Sequence, residues 1–195
     1  TDESGRATIT SVPDFAGRAG ILERGNSSAQ WPKQPYALET WDEANEDRSV
    51  SILGLPSESD WVLHNPYADK TLMRNYLTYL WSRELGQYAV RTRFVEVFLN
   101  SDGGKIKWDG GTEASDTDYV GVYLFLEKIK RDRNRVDIAR LDPSDTTEPA
   151  VSGGYIIKMD HVDPNDSTFI TARGLEFITA EPDPPAAAQE TYIRN

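Results

Sequence analysis

The 195-residue chain has no cysteine, two histidines and two methionines. Without thiols it cannot carry a disulfide framework, a thiolate zinc site, an iron–sulfur cluster or a cysteine nucleophile. His64 and His161 stand in no metal-ligand spacing and beside no Gly-x-Ser-x-Gly elbow, which argues against a hydrolase triad. Each reads first as a structural or solvated side chain. Positive charge is also scarce. Lys and Arg number 21 against 32 Asp and Glu, a net charge of −11 that repels polyanions and speaks against nucleic acid as a partner. The longest apolar run, Tyr119 to Leu126, is far short of the roughly 20 residues that cross a bilayer, so no membrane span is expected.

The length suits one domain of ordinary size or two small ones, long enough for a sizeable core, and a single domain, 1–195, is expected. The chain starts at Thr1 without an initiator Met, and Pro184-Pro185 starts a helix that runs on through 186–195. The parent protein is therefore expected to continue at both ends.

Alternation and β-branched content predict strands at 7–12, 21–24 and 36–41, separated by Gly, Asn, Ser and Pro clusters. From Asp69, a plausible N-cap, the residues Leu72, Met73, Tyr76, Leu77, Leu80 and Trp81 follow helical spacing up to Gly86. One amphipathic helix over 69–86 is predicted, its apolar face in the core. Strands follow at 93–99 and 119–129, with a Gly- and Asp-rich excursion at 101–118 between them that reads as an inserted loop. A further strand is predicted at 153–160 and another at 175–179. Strands, one long helix, then more strands specify an α+β fold, an antiparallel or mixed sheet with the helix packed on one face.

Two segments have unusual chemistry. Arg24-Gly25-Asn26-Ser27-Ser28 sets a cation, a glycine and three small polar residues in a turn that can offer N–H groups and hydroxyls to an anion, with Lys33 close behind. Such turns also simply close hairpins. Residues 127–135 hold five cations in nine positions, a local basic patch in an acidic chain or a solvated loop of alternating charges. Asp160, Asp163 and Asp166 could present oxygens to calcium, but they lack the glycine and distal glutamate of an EF-hand loop, and ordinary turn chemistry outweighs that reading.

Arg-Gly-Asn-Ser-Ser at 24–28, Lys-Gln-Pro-Tyr at 33–36, Leu-Gly-Leu-Pro at 53–56, Asp-Trp-Val-Leu at 60–63, Asp-Lys-Thr-Leu-Met-Arg-Asn-Tyr-Leu at 69–77, Arg-Thr-Arg-Phe-Val-Glu-Val-Phe-Leu-Asn at 91–100, the run Gly-Val-Tyr-Leu-Phe-Leu-Glu-Lys-Ile-Lys-Arg-Asp-Arg-Asn-Arg-Val at 121–136 and Gly-Gly-Tyr-Ile-Ile-Lys-Met-Asp at 153–160 resemble the CotH kinase family, in order. The resemblance covers roughly 19–182. It implies the N-terminal lobe of an atypical, spore-coat-protein-H-like protein kinase that uses ATP with Mg or Mn to phosphorylate Ser or Thr of secreted or coat proteins, outside the cell or on its surface. By this analogy Arg24, Asn26, Ser27, Ser28 and Lys33 contact phosphate, the backbone at Glu127, Lys128 and Ile129 forms the adenine-facing hinge, and Glu84 orients one of the cations.

The family's catalytic and metal-binding aspartates are expected further along than residue 195, in a C-terminal lobe of the same parent. No catalytic base or metal ligand is therefore assigned, and this stretch alone is expected to be inactive. Glu39 stands where many relatives carry a basic residue. The rival reading is a non-catalytic surface or assembly module of the same fold, with the 101–118 loop meeting a partner.

Overall fold

The computed structural model describes residues 10–108 and 117–194. Backbone contacts divide the chain after Lys128 into two compact units. The first holds a five-stranded antiparallel sheet of β1 (Arg18–Glu23), β2 (Tyr36–Trp41), β3 (Asp60–His64), β4 (Thr92–Phe98) and β5 (Tyr119–Glu127), in the order β1-β2-β3-β5-β4, and one helix, α1 (Arg74–Glu84). The second holds a three-stranded antiparallel sheet of β6 (Ile156–Lys158), β7 (Thr168–Ile170) and β8 (Glu176–Glu181), with β8 central, and helix α2 (Ala187–Arg194).

β5 explains the first unit. Paired on both sides by β3 and β4, its sequence Tyr-Val-Gly-Val-Tyr-Leu-Phe-Leu-Glu is rich in residues that fill a pleated surface, and its last five residues are all buried. Alternation sends Tyr123 and Phe125 to one face, where they pack with Leu55, Trp61 and Leu63, and Leu124 and Leu126 to the other, where they pack with Val62 and Val90. Trp61 stacks on Phe125 with centroids 5.0 Å apart. The second face carries α1, through Tyr76 and Tyr79.

The helix is shorter than the 69–86 expected and no α1 residue is fully buried. The cause lies in Asp69. Its carboxylate accepts hydrogen bonds from the Thr71 N–H and hydroxyl and, at 2.8 Å, from the N–H of Arg74, so it caps the helix from five residues upstream. The intervening chain turns through Leu72 at φ +60° instead of winding helically. The expected core face is likewise corrected: Tyr76 and Tyr79 pack, while Trp81 is 60% exposed.

Strand 36–41 stands as expected, and the predictions at 21–24, 93–99, 119–129, 153–160 and 175–179 correspond to β1, β4, β5, β6 and β8 with shifted ends. Of the strand expected at 7–12, residues 7–9 lie outside the described residues and 10–12 are not in a strand. Residues 109–116 of the 101–118 loop also lie outside them. Its described part is tied down by Asn100, whose Nδ2 donates to Asp118 Oδ2 at 2.9 Å, and by Asp102, which accepts from Lys107 Nζ at 2.9 Å and Gly104 N–H at 2.8 Å. In the second unit α2 is anchored by Gln189, 1% exposed, whose Nε2 donates to the Asp142 carbonyl at 2.7 Å.

Candidate functional site

On the α1 face of the larger sheet lies a cavity of about 220 Å³ lined by Arg24, Gly25, Ser28, Pro35, Val62, His64, Tyr79 and Leu126. Pleating explains the composition. Val62 and His64 alternate toward this face of β3, Leu126 reaches it from the end of β5, and Tyr79 descends from α1. The turn after β1 forms the polar side. Arg24 N–H donates to the Pro35 carbonyl at 3.0 Å, and the chain then reverses through Gly25 at φ +91° into a single 3₁₀ turn at Ser28–Gln30. Only glycine suits that position: a Cβ there would stand 2.2 Å from Ser28 Oγ.

The cavity is electrically one-sided. Arg24 forms no ion pair with a carboxylate among the described residues, and no Asp or Glu lines the wall. His64 is held below its ordinary pKa, first by burial and then by the Arg24 charge; a hydrogen bond from its ring to the Asn75 side chain opposes both. The cavity thus presents a fixed cation and an imidazole whose charged form is disfavoured beside an apolar wall of Val62, Leu126 and Tyr79. A volume below the ~300–1,000 Å³ of drug-sized ligand sites suits one end of an elongated anion rather than the whole of it.

Of the residues expected to contact phosphate, Arg24 and Ser28 meet in this cavity. Asn26 and Ser27 are exposed in the same turn and do not line it. Lys33 lies elsewhere. Its ammonium sits 4.4 Å from the centroid of the Tyr123 ring and donates to the Val122 carbonyl; the Tyr123 ring belongs to the sheet face opposite α1. Burial lowers the Lys33 pKa, and Gly121, at φ +104°, leaves the space its side chain occupies.

The residues expected to form the adenine-facing hinge are Glu127, Lys128 and Ile129. Glu127 closes β5, pairing with Trp61, and its carboxylate, 1% exposed, is held by Arg91. Lys128 pairs with Asp60 at 3.1 Å, and Ile129 opens the second unit, 56% exposed. Leu126, immediately before them, lines the cavity. Glu84 is exposed at the end of α1 and is not part of the lining. Glu39 hydrogen-bonds Asp47, which raises its pKa, and accepts from Trp41 Nε1 at 3.0 Å.

No group of three or more His, Asp or Glu among the described residues is placed to hold a metal. Asp160, Asp163 and Asp166 form no such group. Asp163 and Asp166 instead close a turn on each other, the Asp163 N–H donating to Asp166 Oδ2 at 2.8 Å, and Asp160 accepts from the His161 N–H.

Sequence reasoning missed His64, Asn75, Val62 and Tyr79. The signal for Val62 and His64 was present: Trp-Val-Leu-His at 61–64 is a buried strand in composition, and a strand there brings His64 to the Arg24 turn.

The family model described as CotH kinase protein matches residues 21–192 of the chain. No curated protein and no solved structure matches it.

Proposed function

Because the chain belongs to the CotH kinase family, we propose that it is the nucleotide-binding portion of a kinase that passes the γ-phosphate of ATP to Ser or Thr of a secreted or coat protein, with the Arg24 cavity receiving the phosphate end. The observation that carries this reading is the Arg24 guanidinium beside the Gly25–Ser28 turn, without an ion-pair partner among the described residues and in a wall without carboxylates.

Each residue has a physical role in it. Arg24 offers a planar, permanently charged donor set suited to phosphate oxygens. Gly25 lets backbone approach the anion closely, and the Ser28 hydroxyl folds over it. Leu126 and Val62 supply an apolar surface in the cavity, and the backbone of Glu127, Lys128 and Ile129, next along the chain, is the proposed adenine-pairing edge. In this reading the larger sheet with α1 is the counterpart of a kinase N-terminal lobe, where α1 stands as the single packed helix. Lys33 supports the sheet from its other face, at Tyr123. ATP brings a transferable phosphoryl group, and catalysis of its transfer is chiefly positioning and electrostatic stabilisation of the phosphate oxygens. The lining holds no carboxylate to take a proton from an acceptor hydroxyl, so binding and orientation are what this stretch contributes. The cell surface or spore coat is the proposed location.

Titration calorimetry with ATP tests the assignment. Wild type should bind, and Arg24→Ala should weaken binding by about tenfold or more, the weight of a charge-assisted contact. Equal affinity in the two proteins would remove the Arg24 cavity as the phosphate site.

A further inference from the structure

His64 is the second polar group of the cavity, and nothing in the proposed nucleotide site so far requires it. Its surroundings are one-sided. Arg24 faces it from the turn after β1, Asn75 and Tyr79 from α1, and Pro35 from the lead into β2, while its register partner on β5 is Leu124. The only charged group among these is Arg24, and it is a cation. The ring's one described hydrogen-bond partner, Asn75, favours the protonated form.

We propose that His64 is a second anion-binding group of this cavity, taking up a proton when a polyphosphate seats against Arg24 and then sharing the phosphate charge with it. The inference rests on the reading of the cavity as a phosphate site. Its sign follows from Coulomb's law. The Arg24 charge by itself disfavours a second cation, whereas a polyphosphate more than cancels that charge at the same distance and favours one. The proton then lies between the ring, already oriented by Asn75, and the anion. By linkage the effect is reciprocal: whatever factor the proton adds to polyphosphate affinity, the polyphosphate adds to proton affinity. One unit of upward shift in His64 corresponds to a tenfold gain in affinity between alkaline and acidic solution. Asn75 is the second residue of α1, so the bound state also fastens the first turn of that helix to the site.

With only two histidines in the chain, proton NMR of the imidazole signals reads this directly. His64→Gln identifies the His64 signal by its loss. Without ligand, the His64 midpoint should lie below the ordinary histidine value. With saturating inorganic tripolyphosphate or ATP it should rise by about one unit while His161 stays in place. Calorimetry with ATP at pH 5.5 and 8 should show affinity falling with pH more steeply in wild type than in His64→Gln, whose residual slope belongs to the ligand's own titration. Asn75→Ala, which leaves the ring in place, should lower the midpoint with and without ligand. A His64 midpoint that does not move under saturating, Arg24-dependent ATP binding overturns this inference and leaves the site assignment standing. Absence of ATP binding to wild type at either pH overturns both.

Discussion

Arg91 holds the buried Glu127 carboxylate from two directions: Nε and Nη2 of its guanidinium lie 3.1 and 2.6 Å from Oε1, and its own backbone N–H donates to Oε2 at 2.9 Å. The pair ties the chain entering β4 to the end of β5, where the proposed hinge begins. A carboxylate at 1% exposure needs that compensation, because ionised groups are costly to move out of water. Removing the cation alone is therefore the damaging change. Arg91→Met should lower stability to urea by about 3 kcal/mol. Arg91→Met combined with Glu127→Leu should recover a large part of that loss. If the single variant loses less than about 1 kcal/mol, the pair does not brace the hinge.

Gly25 and Gly86 both have positive φ, +91° and +78°, but only Gly25 has a neighbour in the way. Alanine at 86 meets nothing within 4 Å and bears backbone strain alone, about 1 kcal/mol. Alanine at 25 bears the same strain and must also displace the Ser28 hydroxyl. Gly25→Ala should therefore abolish or strongly weaken ATP binding with only a small loss in melting temperature, whereas Gly86→Ala should bind ATP normally. Equal binding by the two variants would show that the turn does not shape the site.

Six of the eight strands among the described residues were legible because their signal is local, whereas β3 and β7 were not expected. Tyr36–Trp41 and Tyr119–Glu127 have β-branched and aromatic residues bounded by turn formers, and the pleat did the rest. The start of α1 was not legible, since its capping group is a side chain that reaches five residues forward to the Arg74 N–H. The candidate site was half legible. Arg24-Gly25-Asn26-Ser27-Ser28 announces an anion turn in its residue types, but pairing of β3 between β2 and β5 is a long-range event, and it alone decides that His64 joins Arg24 while Lys33 goes to the opposite face. The basic run 127–135 shows the same limit: its first two members are committed to Arg91 and Asp60 by contacts that no local pattern records.

The contrast between the β5 core and α1 predicts where truncation hurts. Leu124 is 1% exposed and packs with Val62, Val90 and Leu126, so Leu124→Ala should cost about 2–5 kcal/mol. Leu77, half-buried on α1, should cost about 1 kcal/mol, and Trp81→Ala, at 60% exposure, should stay within about 0.5 kcal/mol. Urea denaturation of the three variants orders them. A Trp81 loss equal to that of Leu124 would mean that the helix is packed on the face now read as open.

Tyr123 is one of the groups through which alkaline pH should weaken the larger unit. Burial pushes its phenol up to about 12 from an ordinary value near 10, and the neutral hydroxyl donates to the Gln34 carbonyl at 2.7 Å. The folded state thus keeps its proton where the unfolded chain releases it. A group whose pKa is raised on folding costs nothing below the unfolded value and loses stability for the fold as pH climbs from that value to the folded one, here from about 10 to about 12. Tyr123→Phe removes the titration together with the hydrogen bond. At pH 7 it should be less stable by about 1 kcal/mol, the net worth of one such bond. Between pH 10 and 12 the wild-type protein should lose stability faster than the variant, so that the two curves converge. Urea midpoints measured at pH 7, 10 and 11.5 test this. Parallel curves across that range would mean that the phenol ionises as readily in the folded protein as in the unfolded chain, and that its bond to Gln34 does not persist in solution.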